Sequence, residues 1–367
     1  MNKEKILLAM SGGIDSSVCA ILLKEAGHDV IGVTYRTWDS ITESCIAKEK
    51  GCCTIESIME AKHLAQTMEI EHHIIDLREK FKTEIIKKFI DEYLAGRTPN
   101  PCVDCNSQIK WGDLLQIADK LGCSKIATGH YAQIQYENGR YFLSKGIDDT
   151  KDQTYFLWKL TQENLARTIF PLGNFTKPQI RQIALDKGFE KLSKKRESQE
   201  ICFIPDNDYR SFLVQNAPQE TSTIRQGNFI LADGTIVGQH KGYPYYTIGQ
   251  RKGLNIALGE PYYVTHIDPI SNTITLGKRE QLLSKKMILT EVNLMKYEFL
   301  PKEGITIEVK IRYRSTPTPA IATTTTEEGL ALEFLEPVSA ATPGQSAVIY
   351  EKNDVVGGGI ISKIITD

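Results

Sequence analysis

Two hydrophobic periods follow one another along this chain. Ile6-Leu7-Leu8-Ala9-Met10 is a continuous apolar run, the signature of a strand buried on both faces. Residues 18–25 carry apolar positions at helical spacing, and Gly27 stands where a helix-ending glycine belongs. The alternation then repeats: a strand at 30–35, a helix at 57–68 with Ile58, Ala61, Leu64, Ala65 and Met68 on one face, and a strand at 71–75. Helices are expected at 81–94 and 111–121, then a short strand at 125–128 ending in Gly129-His130. Two more helices are expected at 153–160 and 177–187, after a hairpin turned by Asn138-Gly139. This rhythm predicts an α/β fold, a doubly wound parallel sheet whose ligand sits beyond the carboxyl ends of the strands.

Past Pro205 the period shortens. Asp233-Gly234 turns a hairpin, and short β-type runs follow at 245–248, 262–265, 273–276, 305–312, 331–334 and 347–350. The threonines at 323–326 also read as strand. The expected organisation is a catalytic α/β domain at 1–205, a small β-rich central domain at 206–280 and a C-terminal β-barrel at 281–367.

At 367 residues the chain is long enough for several cores. No apolar run approaches membrane-spanning length, so a cytoplasmic location without membrane attachment is expected. The net charge of −2 requires any nucleic-acid site to be a local basic patch. Eight cysteines in such a chain point away from a disulfide framework. Cys19 and Cys123 lie in apolar settings and read as packing residues.

The chemistry begins directly after the first strand. In Ser11-Gly12-Gly13-Ile14-Asp15-Ser16-Ser17, adjacent glycines let backbone N–H groups approach an anion, and the following helix adds its N-terminal partial charge. Asp15 would repel a phosphate unless a cation intervened, which suggests Mg²⁺. The loop is not a Walker A sequence. A second feature is Cys102-Val103-Asp104-Cys105, behind Arg97-Thr98-Pro99-Asn100-Pro101. The prolines are expected to keep this segment out of helical geometry, and a Cys-x-x-Cys pair in a stiff loop suits metal, disulfide exchange or sulfur handling. Structural zinc completed by Cys52 and Cys53 is an alternative, although adjacent cysteines are poor partners on one tetrahedral ion. The third feature is Cys202, behind Lys194-Lys195-Arg196; cationic neighbours would favour its thiolate, whereas Ile201 and Phe203 would favour burial. Cys45, Cys52 and Cys53 suggest no sharper role.

Ser-Gly-Gly-x-Asp-Ser resembles the PP-loop of ATP pyrophosphatases. The ordered series Gly-Arg-Thr-Pro-Asn-Pro-Cys, Thr-Gly-His-Tyr, Lys-Asp-Gln-Thr-Tyr-Phe-Leu and Glu-Ser-Gln-Glu-Ile-Cys-Phe-Ile resembles the tRNA-specific 2-thiouridylases more specifically. The likeness continues through Tyr246-Thr247-Ile248-Gly249-Gln250-Arg251-Lys252-Gly253, Ile311-Arg312-Tyr313-Arg314 and Thr342-Pro343-Gly344-Gln345-Ser346.

That resemblance implies an ATP-dependent sulfurtransferase acting on the wobble uridine of tRNA. ATP would adenylate the 2-carbonyl oxygen, and a persulfide on Cys202 would displace AMP. Carried across, Ala9, Met10, Ser11, Gly12, Gly13, Ile14, Asp15, Ser16, Tyr35 and Gly129 line the ATP site. Asn100, Pro101 and Cys102 approach the base, which must be flipped out to be reached. Lys151, Asp152, Gln153, His130, Arg312, Tyr313 and Gln345 contact or position the tRNA. Arg251, Lys252 and Arg314 add local basic charge. Cys105 attacks the persulfide or resolves it as a disulfide with Cys202. A sulfur donor, such as a cysteine desulfurase or sulfur-relay protein, is an implied partner.

Members of the family commonly carry aspartate where Cys102 stands. Three thiols, Cys102, Cys105 and Cys202, could instead hold an iron–sulfur cluster, so a persulfide relay and a cluster mechanism both stand open at this point. Two other functional classes compete with thiolation. A PP-loop ligase or amidotransferase acting on a small molecule would have no use for Cys202. A non-catalytic RNA-binding protein would release no pyrophosphate.

Overall fold

A computed structural model describes residues 3–38, 55–195, 201–204, 207–325 and 329–365. Cys45, Cys52, Cys53 and residues 196–200 of the Cys202 motif lie outside the described residues. The chain forms two compact units, one of residues 1–86, 101–208 and 353–355, the other of 87–100, 209–352 and 356–367.

The first unit holds the expected parallel sheet. Its elements run β1 (Lys5–Ala9), α1 (Ile14–Glu25), β2 (Asp29–Arg36), α2 (Ile55–Thr67), β3 (Glu71–Asp76), α3 (Gly112–Lys120) and β4 (Lys125–Ala127). They continue with the hairpin β5 (Ala132–Glu137) and β6 (Arg140–Lys145), then β7 (Thr168–Ile169) and α4 (Lys177–Asp186). The strand order is β3-β2-β1-β4-β7, and every neighbouring pair is parallel. Central β1 registers Leu7 against Ile31 on one side and Ile126 on the other. Ile6, Leu7 and Leu8 are fully buried, as the unbroken apolar run demands. Val18 and Cys19 of α1 and Leu64 and Ala65 of α2 pack into the same core. The order reverses between β1 and β4, so the crevice for a ligand opens there.

The second unit is β-rich. Strands β8 (Gly227–Ile230), β9 (Ile236–His240), β10 (Tyr263–Asp268) and β11 (Thr273–Gly277) form a four-stranded sheet ordered β10-β11-β8-β9. Next come β12 (Leu283–Leu294), β13 (Ile305–Lys310), β14 (Thr318–Thr324), β15 (Leu330–Ser339), β16 (Ser346–Glu351) and β17 (Asp354–Ile365). These run in the order β12-β15-β14-β13-β16-β17, and β12 pairs back onto β17. Closure removes the exposed edges an open sheet would carry. Met287, Val309, Phe334, Ile349 and Ile361 fill the barrel.

Four expectations are corrected. Residues 153–160 form one 3₁₀ turn, Thr154–Phe156, instead of a helix. Residues 245–248 are not a strand, because a 3₁₀ turn at Tyr243–Tyr245 carrying Pro244 leads into a loop. β12, most of β14 and β17 escaped the sequence reading: β12 contains Lys285-Lys286, β14 contains Pro319, and β17 contains Gly357-Gly358-Gly359, all poor strand signals in isolation. The Cys-x-x-Cys segment is helical, as described below. No helix among the described residues is long and apolar enough to cross a membrane.

Candidate nucleotide and sulfur-transfer site

The loop between β1 and α1 is shaped by backbone contacts that exclude side chains. Gly12 has φ +69°, and a Cβ there would lie 2.9 Å from the Ser57 carbonyl carbon. Gly129, just past β4, would place a Cβ 2.9 Å from the Ser16 nitrogen. Gly12 thus lets the loop after β1 pass against Ser57 of α2, and Gly129 lets the end of β4 pass against the first turn of α1. Ser16 Oγ accepts from the Ser11 nitrogen at 3.1 Å, and Ser17 Oγ donates to the Gly13 carbonyl at 2.8 Å. Gly13 caps α1 without a side chain, so the cap residue itself gives the N–H groups of the first turn no side-chain acceptor. The Met10 nitrogen bonds the Val33 carbonyl, and Thr34 Oγ1 donates to the Met10 carbonyl at 2.7 Å.

Asp15 is already matched by a cation. Its two carboxylate oxygens accept from Lys177 Nζ at 2.7 and 2.9 Å, and Oδ1 also accepts from the Tyr131 hydroxyl at 2.6 Å. Lys177 is the first residue of α4 and is buried, with its backbone N–H donating to Asp148 Oδ2 at 2.8 Å. The magnesium position expected beside Asp15 is thus taken by an ammonium group. Among the described residues, no three His, Cys, Asp or Glu side chains gather to hold a metal ion. Cys102, Cys105 and Cys202 do not form a ligand set for an iron–sulfur cluster.

The cysteine segment is helical because Pro101 occupies the first helical position, where its missing N–H is harmless. Pro101–Asp104 is one α-turn, and Cys105–Trp111 continues as a π-helix, a form often found at functional sites. Cys102 and Cys105 are half-buried and three residues apart. Asp104 does not stand in for the aspartate common at position 102, since its carboxylate is buried and ion-paired to Lys159 at 3.2 Å. Cys202 is half-buried, and Phe203 beside it is buried edge-on against Phe81, ring centroids 5.7 Å apart. Of the cationic residues ahead of Cys202, Lys195 is engaged elsewhere: its Nζ donates to the Gly12 carbonyl at 3.1 Å and to Glu60.

Tyr35, next to last in β2, has its hydroxyl buried and without a hydrogen-bond partner among the described residues, and burial and nearby Asp113 hold its proton firmly. His130 packs against Trp111 and Phe170, and its Nδ1 lies 2.8 Å from Thr128 Oγ1. Burial, with Lys110 nearby, keeps its imidazole neutral, far below the ordinary value of 6.5. Lys151 and Gln153 are half-buried. Asp152 is buried, and its Oδ1 accepts from the Thr154 nitrogen at 3.0 Å. Gln153 Oε1 accepts from the Tyr131 nitrogen at 3.0 Å. Cys19 and Cys123 pack as expected, burial pushing both thiols up.

In the second unit, Gln345 Nε2 donates to the carbonyls of Thr98 and Pro99 at 2.9 and 3.0 Å. Asn100 follows, half-buried. The same unit contains a cavity of about 1000 Å³ lined by Arg210, Arg251, Lys252, Arg279, Arg312 and Gln345 among others. No acidic side chain lines it among the described residues. The Arg312 guanidinium bonds the carbonyl of Ala340, another lining residue, and Tyr313 lies under Lys310 Nζ at 5.8 Å. Lys177, Arg210 and Arg279 were missed by sequence reasoning, and the contacts of Tyr131 and Lys195 were not foreseen, because only distant chain segments bring them to these sites.

Three family models tile the chain: a tRNA methyl transferase HUP domain at residues 4–206, a tRNA methyl transferase PRC-barrel domain at 211–278, and an aminomethyltransferase beta-barrel domain at 284–361. The tRNA-specific 2-thiouridylase MnmA of Salinibacter ruber is 51% identical over 365 residues, covering 99% of this chain and 95% of that protein. The chain belongs to the MnmA family. The MnmA protein of Amoebophilus asiaticus is 49% identical over 98% of this chain and 96% of its own. A solved U34-tRNA thiolase, NcsA from Methanococcus maripaludis with its [4Fe-4S] cluster, overlaps 60% of this chain and 69% of its own at 20% identity and a TM-score of 0.34. The match to these MnmA relatives spans both units described here.

Proposed function

We propose that this chain is an ATP-dependent tRNA sulfurtransferase that converts the wobble uridine to 2-thiouridine. The observation that carries the reading is the uncapped start of α1 beneath Gly12 and Gly129, in a chain that matches MnmA relatives end to end. Residues 1–205 carry the chemistry on this reading, with 206–280 and 281–367 as β domains for the tRNA.

ATP lies along residues 9–16, Tyr35 and Gly129, its phosphates at the first turn of α1. The unpartnered Tyr35 hydroxyl suits a nucleotide contact. Magnesium enters as the chelate of the nucleotide instead of through Asp15. The uridine 2-carbonyl oxygen attacks the α-phosphorus, pyrophosphate leaves, and the oxygen becomes part of a good leaving group. The terminal sulfur of a Cys202 persulfide then attacks carbon 2, and AMP departs with the oxygen. The Cys105 thiolate attacks the Cys202 sulfur, releasing 2-thiouridine and leaving a Cys105–Cys202 disulfide for the sulfur-supplying partner to reduce. The three thiols do not assemble a cluster ligand set, and this relay needs none. Cys102 approaches the base beside Asn100 and Pro101.

The cationic cavity suits the sugar–phosphate backbone of the anticodon stem–loop, and it reconciles a net charge of −2 with an RNA substrate. Incubation with ATP, a persulfide donor and unmodified tRNA tests the reading. Pyrophosphate release together with retardation of the tRNA in a mercury-containing gel is expected; pyrophosphate without retardation refutes thiolation.

A further inference from the structure

We infer that Lys177 is a positioning residue of the nucleotide loop: its ammonium takes the place of a metal ion at Asp15, and its backbone fastens that loop to the 148–153 segment. The inference rests on the proposed nucleotide site and adds a residue that no motif marks. Lys177 is 6% exposed, and a buried lysine needs a partner. Asp15 is that partner, gripped through both oxygens at 2.7 and 2.9 Å. Asp15 itself is more open, so without Lys177 its negative charge would stand in the first turn of α1, where phosphates are to bind.

Two links run from this pair to the segment read as a tRNA contact. Lys177 N–H donates to Asp148 Oδ2 at 2.8 Å, while Asp148 Oδ1 closes the loop by accepting from the Thr150 nitrogen at 3.1 Å. Tyr131 reaches Asp15 through its hydroxyl at 2.6 Å and Gln153 through its backbone N–H at 3.0 Å. The ends of segment 148–153 are therefore each one residue away from the Asp15 carboxylate. A displacement of that segment moves Lys177 and Tyr131, and with them the charge balance of the nucleotide loop.

The test is equilibrium binding of ATP with magnesium in excess, which needs no sulfur chemistry, on Lys177→Met, Asp15→Asn, the double variant and Tyr131→Phe. Lys177→Met is expected to weaken ATP at least about tenfold, because it leaves a carboxylate uncompensated near the phosphates. The double variant is expected to recover to within about threefold of wild type, since it removes the orphaned charge as well. A merely structural lysine would not be rescued in this way. Tyr131→Phe, which deletes the hydroxyl bonded to Asp15 Oδ1, is expected to weaken ATP binding; should Lys177→Met fail to fold, unchanged ATP affinity in Tyr131→Phe overturns the inference. Unchanged ATP affinity in Lys177→Met, or a double variant no better than the single, overturns the inference while the proposed function stands. A wild-type protein that binds no ATP sinks both.

Discussion

The side-chain amide of Gln345 holds the carbonyls of Thr98 and Pro99, at 2.9 and 3.0 Å, from the loop that precedes β16. Those carbonyls belong to the extended segment that runs through Asn100 into the Cys102 helix. The Thr98 nitrogen is also bonded, to the Pro343 carbonyl at 2.9 Å. Gln345 therefore sets where Asn100 starts, whatever else it touches.

Replacing Gln345 with alanine removes two hydrogen bonds to backbone, worth about 1 kcal/mol each. The expected result is a fall of about tenfold in kcat/KM for tRNA with little change in KM for ATP, read in steady-state thiolation assays. Equal effects on both substrates would contradict this positioning role.

Gly12→Ala forces a Cβ to within 2.9 Å of the Ser57 carbonyl carbon at φ +69°. The strain of an L side chain in that region is about 1 kcal/mol before the clash is counted. ATP-dependent pyrophosphate release is expected to fall by more than about tenfold. Gly27→Ala provides the control, since a Cβ there meets nothing within 4 Å and the strain alone remains.

Cys202→Ser and Cys105→Ser separate activation from sulfur transfer. Both variants are expected to retain pyrophosphate release, because the nucleotide loop is built from other residues, and to give no mercury-retarded tRNA. Protein purified anaerobically is expected to contain no stoichiometric iron or sulfide; bound iron that is needed for thiolation would refute the relay.

His130 supplies a pH dependence. Its folded-state pKa is held well below the ordinary 6.5 by burial, with Lys110 adding to the effect. The unfolded chain then binds the extra proton first as pH falls, so this contribution to stability is complete above about 6.5 and is lost progressively below it. His72 and His240, both lowered chiefly by burial, act in the same direction. Denaturation midpoints are expected to drop from pH 7 to pH 5, with a shallower slope in His130→Gln. A slope unchanged by that substitution would remove His130 as a source.

The parallel sheet, the glycine loop and the order of the motifs were legible in the sequence because each depends on neighbours in the chain: an apolar run, a helical period, a turn of two glycines. The Cys-x-x-Cys pair was legible as chemistry but not as conformation, since Pro101 starts a helix as readily as it blocks one. β12 and β17 were hidden because barrel closure, not local propensity, stabilises strands rich in lysine or glycine.

The charge balance of the site was decided only by tertiary structure. Asp15 and Lys177 are 162 positions apart, and Gln345 and Thr98 are 247 apart. No local pattern encodes such pairs, because they form only after the sheet and the barrel have brought distant segments within hydrogen-bonding distance. The residues able to do chemistry were written in the chain; which cation faces Asp15, and what holds the segment before Cys102, had to wait for the fold.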